Sequence, residues 1–107
     1  METPTNTCLS YIGTSVNIVS GKWSFLVLSQ LYTGSKRFNQ LQKGLNNVSS
    51  KALTDTLRHL ESNGMVARKI YPTVPVTVEY SLTEKGIDFQ FVLKEMNEWG
   101  KRWLLTD

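Results

Sequence analysis

The amino-acid sequence predicts an α+β fold, a winged helix-turn-helix domain with extra helices at its N- and C-terminal ends, and three observations predict it. Between residues 36 and 60, apolar residues recur at three- and four-residue spacing in two short blocks parted by Asn46-Asn47, the pattern of two helices joined by a tight turn. Between residues 66 and 82, two runs rich in β-branched and aromatic residues bracket Pro72 and Pro75, the pattern of a hairpin. Outside both, apolar residues recur at helical spacing near each end, and at the C-terminal end they exceed what a lone helix needs. With 107 residues, a single domain over residues 1–107 is expected.

The elements follow in order. Tyr11, Ile12, Val16 and Val19 share one helical face and mark a first helix. After Gly21, Trp23, Phe25, Leu26, Val27, Leu28 and Leu31 are apolar nearly all round, which predicts a central buried helix ending at Gly34. Phe38, Leu41 and Leu45 predict a short helix over residues 37–44, with Lys36, Arg37, Gln40 and Lys43 on its outer side. Asn46, Asn47 and Val48 are turn chemistry, and Ser49 is placed to cap the next helix, its hydroxyl accepting from a backbone N–H two or three residues on. Leu53, Leu57 and Leu60 form the buried stripe of that helix, over about 49–63, until Asn63-Gly64 closes it. A wing over about 66–82 is built from strands at 66–71 and 76–82, with the prolines between them where lost donors do little harm. Thr83 caps a final helix, over about 83–104, whose Ile87, Phe91, Met96, Trp99 and Trp103 exceed what one helix buries alone and so imply a partner.

Composition narrows the function. An apolar fraction of 40%, a charged fraction of 20% and three prolines fit a folded domain, not a disordered chain. The net charge of +3 is unevenly spread: residues 20–78 carry eight bases against Asp55 and Glu61, a net +6, and the flanks sum to −3. Such segregation favours a polyanionic partner for the middle segment, although the same charges also suit an ordinary solvated surface. The lone cysteine, Cys8, excludes an internal disulfide, and the lack of a signal-peptide pattern leads us to expect a cytoplasmic protein. No apolar run approaches the roughly 18 residues of a spanning helix, so no membrane partner is expected. Without a Gly-rich phosphate loop, paired His/Cys ligand spacings or a nucleophile elbow, the expectation is a protein that is not an enzyme and holds no cofactor or metal.

A basic helix projecting from a small scaffold is a device for entering the major groove. Ser49, Ser50, Lys51, Thr54, Asp55 and Arg58 are therefore the candidate base and phosphate contacts. Lys36, Arg37 and Lys43 are candidates for sequence-independent phosphate contacts, and Lys69 and Thr77 extend the set onto the wing. Asp55 repels phosphate, so it either accepts from a cytosine amino group, pairs with Lys51 or Arg58, or sits at the helix's outer edge; intrahelical pairing is the default. His59, the only histidine, lies beside the apolar stripe as a boundary or surface residue, since a lone His makes no metal site. Trp23, Trp99 and Trp103 suit core and partner anchors better than a cofactor box, a cavity for an aromatic effector being the alternative.

The chain also resembles the HxlR-type, MarR-like winged-helix transcription regulators of bacteria and archaea. The resemblance runs from residue 8 to about 103, on Cys8 before the first helix, Gly21-Lys22-Trp23, Arg37-Phe38-Asn39-Gln40-Leu41, the stretch 49–60, Glu61-Ser62-Asn63-Gly64-Met65-Val66, Tyr71-Pro72-Thr73-Val74-Pro75, Val78-Glu79-Tyr80-Ser81-Leu82-Thr83-Glu84-Lys85-Gly86 and Trp99-Gly100. It implies a homodimer joined through its terminal helices, with Tyr11, Ile12, Phe91, Met96, Trp99 and Trp103 at the interface. Such a dimer binds a two-fold double-stranded DNA operator, one recognition helix and one wing per half-site. Two positions depart from the family pattern: Thr77 stands where the wing commonly has an arginine, and Ser50 where a proline often follows the capping serine. The resemblance further makes Cys8 a candidate sensor of oxidants or electrophiles, reachable in surroundings of little structure, the alternative being an inert thiol. A small-molecule effector is the other signal such a regulator would take. The main competing function, a winged helix that binds protein instead of DNA, calls for apolar or acidic residues on the outer side of residues 49–63, where this chain has polar groups and two bases.

Overall fold

The computed structural model describes the backbone of residues 3–104 and the side chains of residues 10–104. The elements run α1 (Thr3–Val19), α2 (Ser24–Leu31), β1 (Lys36–Arg37), α3 (Phe38–Gly44), α4 (Ser50–Ser62), β2 (Val66–Tyr71), β3 (Thr77–Leu82), α5 (Glu84–Asp88) and α6 (Gln90–Leu104). The three strands form an antiparallel sheet in the order β1-β3-β2, so the hairpin β2–β3 is widened by a strand from before the helix-turn-helix. Register is Val66 opposite Leu82 and Tyr71 opposite Thr77 on one side of β3, and Lys36 opposite Tyr80 on the other.

The core lies where α2, α3 and α4 meet the start of the hairpin. Val27, Leu28, Leu41, Leu53, Leu60 and Met65 are fully buried, and Leu31, Leu45, Val48, Leu57 and Val66, with Ile18 from the end of α1, complete the cluster. Burying one Leu contributes about 1.5–3 kcal/mol, so the stripe of Leu53, Leu57 and Leu60 rivals the net stability of a typical small domain. That stripe, more than helix propensity, fixes which side of α4 faces out. Ser49 caps the helix as its sequence predicts, its hydroxyl accepting from Ala52 N–H at 3.1 Å. At the other end Gly64 takes φ +73°, and Gly64 N–H and Met65 N–H close on the carbonyls of Glu61 and Leu60, both at 2.9 Å.

Five expectations need correction. Cys8 lies inside α1 and not ahead of it: with Pro4 in the first turn, where a missing N–H costs nothing, no breaker stands before Val19, and Gly13 is carried within the helix. The central helix is shorter and less enclosed than predicted, since α2 stops at Leu31 and Phe25 keeps 45% of its surface exposed. Lys36 and Arg37 form β1 instead of decorating a helix, because pairing with Tyr80 and Glu79 of β3 overrides local pattern. The second strand of the hairpin begins at Thr77, one residue later than predicted. The final helix divides at Phe89, because its first turn is tied to the core: Gly86 packs against the Met65 carbonyl so tightly that any Cβ there would collide with it, and Tyr32 Oη donates to Gly86 O at 3.0 Å.

Beyond that tie, α6 buries no residue. The radius of gyration, 16.1 Å, exceeds the roughly 13 Å of a globule of this length, as expected of a module with two arms.

Candidate nucleic-acid interface

The turn between α3 and α4 sets the geometry of the site. Asn46 and Asn47 both take φ +59°, a left-handed pair that asparagine tolerates better than most residues. Gln42 ties the turn to the helix that follows, its Nε2 donating to Val48 O at 2.9 Å and to Ser50 Oγ at 3.2 Å. Ser50 accepts here, and among the described residues its own proton has no acceptor. Residue patterning missed Gln42, since its partners lie across a turn and carry no periodic signal. Arg37 precedes α3 in extended conformation, and its N–H donates to Gln40 Oε1 at 2.8 Å, so Gln40 braces the helix start instead of facing a ligand.

At the cap and along α4, Ser49, Ser50, Lys51, Asp55 and Arg58 are exposed and Thr54 is half-buried, with Lys51, Asp55 and Arg58 opposite the leucine stripe. Lys51 Nζ and Asp55 Oδ2 are 2.8 Å apart, the intrahelical pair expected by default. The hydrogen bond and charge of Lys51, helped by Arg58, hold the Asp55 carboxyl below the usual carboxylate range. The pair engages one of the helix's two bases; among the described residues the other, Arg58, makes no salt bridge.

The sheet divides bases that the sequence lists together. Cross-strand partners share a face, which places Lys36, Tyr80 and Arg68 on one side and Arg37, Glu79 and Lys69 on the other. The first face turns toward α4, since Arg68 Nε lies 3.9 Å from Glu61 Oε2 and burial, with Glu61's charge, pushes the Tyr80 hydroxyl's pKa up. On the second, Lys69 Nζ stands 5.0 Å from the Tyr71 ring centroid, and Tyr71 Oη donates to Glu79 Oε1 at 3.2 Å. Lys43 is exposed near the end of α3.

At the wing tip, Thr73 donates to Pro75 O at 2.8 Å, so the 2.9 Å contact between the hydroxyls of Thr77 and Thr73 is one in which Thr77 donates. The half-buried Thr77 is thus committed to the turn, where an arginine would project outward. Val74 is fully exposed at the tip.

On the arms, Tyr11, Ile12, Phe91, Met96, Trp99 and Trp103 each expose more than half of their surface. A groove of about 1070 Å³ runs between α2 and α6, walled by Phe25, Tyr32, Phe91, Met96 and Leu104. The side chain of Cys8 lies outside the described residues. Among the described residues no cluster of His, Cys, Asp and Glu could hold a metal, and no helix is long and apolar enough to cross a membrane.

Comparison with known proteins agrees with this geometry. Residues 18–107 match the model of the HxlR-like helix-turn-helix family. The chain is 42% identical over 95 residues to an HTH-type transcriptional regulator of Methanothermobacter thermautotrophicus, covering 89% of this chain and 72% of that one. It is 34% identical over 98 residues to the HTH-type transcriptional regulator YodB of Bacillus subtilis, covering 92% and 88%. The solved reduced form of YodB superposes with a TM-score of 0.84 at 33% identity, over 91% of this chain and 96% of that one. The redox regulator HypR in its oxidized form superposes with a TM-score of 0.77 at 35% identity, over 85% and 94%. These matches favour DNA binding over the protein-only alternative. The chain belongs to the HxlR-like helix-turn-helix family and is a DNA-binding transcriptional regulator.

Proposed function

We propose that this regulator works in the cytoplasm as a homodimer on a two-fold double-stranded DNA operator, each protomer laying α4 in the major groove of one half-site. The half-sites would lie about 34 Å, one helical turn, or a multiple of it apart. The observation that carries the dimer is the uncovered apolar surface of α1 and α6. Aromatic faces of this extent mark an interaction surface, and a second copy offers the same face about a two-fold axis. In this reading Ser50, Thr54 and Arg58 meet base edges or the backbone beside them. Lys51 and Asp55 act as a pair, Lys51 released to phosphate or Asp55 to a cytosine amino group only if the pair opens. Ser49 offers its remaining proton to a phosphate. Lys36, Arg37, Lys43 and Lys69 hold phosphates without reading sequence. Thr77 serves through the turn it braces. Repression follows from occupancy, since covering a promoter requires no further contact.

Cys8, placed on one arm, is the site where an oxidant or electrophile would act on the dimer, and HypR and YodB, each solved in more than one redox or ligand form, supply the parallel. A small-molecule effector in the groove between α2 and α6 is the other route to the same control. The test is a titration against double-stranded DNA selected from a random pool and against unrelated DNA, at two salt concentrations, followed by footprinting. Binding at least about a thousandfold tighter to a selected two-fold site supports the proposal, and weak binding that vanishes with salt on every sequence contradicts it. Replacing Cys8 by Ser should remove any oxidant dependence of that affinity; dependence that persists sinks the sensor role.

A further inference from the structure

His59 holds the recognition helix to the N-terminal arm. It sits on α4 between Leu57 and Leu60, half-buried at the edge of the core. Its Nε2 lies 3.1 Å from Asn17 O and 3.1 Å from Ile18 O, two of the last carbonyls of α1. Both are among the end carbonyls that a helix leaves without an intrahelical N–H; Ser20 Oγ also donates to Asn17 O at 3.0 Å, and His59 is the donor that reaches both from another element. The tautomer follows from the contacts: carbonyl oxygens only accept, so Nε2 carries the proton, and Nδ1 is left to accept from Asn63 Nδ2 at 3.5 Å. Asn63 Nδ2 also donates to His59 O at 2.8 Å, which fixes the amide in that orientation. The imidazole is thus clamped from both sides, by the arm and by its own helix end.

The same end of α4 is held by a second segment. Lys85 Nζ donates to Asn63 O at 2.7 Å, and Thr83 Oγ1 donates to Gly64 O, both from the segment that leads into α6. Its N-terminal end carries Ser49 and Ser50, tied to the motif's own turn through Gln42. The helix is therefore anchored to both arms at one end and offered to DNA along the rest of its length.

We infer that His59 is a positioning residue for DNA recognition: it touches no DNA, and its bond across to α1 sets the angle of α4 relative to the N-terminal arm and so the spacing of two recognition helices in the assembled protein. This rests on the dimeric reading proposed above. Without the bond, α4 keeps its leucine stripe and its DNA-facing residues, so it still grips phosphates. It loses the fixed relation to its counterpart across the two-fold axis. The effect belongs to operator geometry, not to affinity for DNA in general.

Two variants separate the hydrogen bond from the shape of the ring. His59→Phe keeps a ring of similar size and removes the donor, and His59→Gln keeps a donor on a flexible stem. Each is titrated against the selected two-fold operator, the same operator with its centre lengthened or shortened by one base pair, and unrelated DNA. Melting curves confirm that each is folded. The expected result is that H59F loses about fivefold or more of the preference for native over altered spacing, with its affinity for unrelated DNA and its salt slope unchanged, and that H59Q retains most of that preference. If both variants discriminate spacing as the unaltered protein does, or both lose discrimination alike, the assignment is overturned. Hydrogen exchange supplies a readout that needs no operator: H59F should exchange faster than H59Q and the unaltered protein at the end of α1 and the last turn of α4 together. Equal exchange in both segments would overturn the bond's role. An unaltered protein that shows no two-fold site would count against the dimeric reading, with the exchange result still deciding whether His59 couples the two helices.

Discussion

The winged module and its two arms use the same kind of residue to opposite ends. In the module, Leu53, Leu57 and Leu60 keep at most 2% of their surface exposed, and the fold closes over them. In the arms, Phe91, Met96, Trp99 and Trp103 keep more than half, although their helical spacing is just as regular. Periodicity alone therefore states that a face is apolar, not what covers it. The module buries its stripe within one chain, and the arms leave theirs uncovered by any described residue. In the proposed dimer, DNA reading and assembly fall to separate surfaces, joined at the C-terminal end of α4.

The largest effect should come from the module. Leu57→Ala leaves a cavity in the fully packed stripe and is expected to cost about 2–5 kcal/mol, read as a lowered urea midpoint with operator binding lost in step at every protein concentration. Trp99→Ala should behave differently: the module stays folded, self-association weakens by about 2 kcal/mol or more, and the melting temperature loses its dependence on protein concentration. If both variants fail in the same way, the division between module and arms collapses. Within the module, Arg58→Ala should weaken operator binding by about 1–3 kcal/mol and, if Arg58 reads a base, relax specificity at one position only. Lys43→Ala should weaken binding to all sequences alike and make the dependence on salt shallower by about 0.9 in logarithmic slope; an unchanged slope removes Lys43 from the phosphate contacts.

The smallest effect concerns Asp55. Lys51 lowers its folded pKa below the ordinary value, so whatever the pair adds to stability is fully present above the ordinary carboxylate range and is lost as pH falls through the depressed value. The pair is exposed, and the contribution is correspondingly small. Melting of Asp55→Asn compared with the unaltered protein should show a difference near neutral pH that closes in acid and shrinks in high salt. A difference that grows on acidification would contradict the pairing.

What the sequence discloses divides along similar lines. The stripe of α4, its Ser49 cap and Gly64 stop, and the hairpin were legible because each rests on local spacing or a residue-specific conformation. Strand β1 was not, because two residues have no period and exist as a strand only through β3. The break at Phe89 hides in the same way, behind the close approach of Gly86 to Met65. Of the candidate DNA contacts, the exposure of Lys51, Asp55 and Arg58 was legible from their place opposite the leucines. The split of Arg37 and Lys69 from Lys36 was not, since it follows from strand register. His59 was rightly placed at the boundary of the stripe, but its partners lie 41 and 42 residues away, beyond the reach of any local pattern.

The central claim is that two chains, joined through their arms, read one two-fold operator. Sedimentation of the protein on its selected operator, with the number of chains per DNA counted across a range of protein concentrations, tests it most directly. Two chains should bind each operator as a unit, and a Trp99→Ala protein should need higher concentrations to reach the same complex. One chain per site with unchanged affinity in that variant would contradict it.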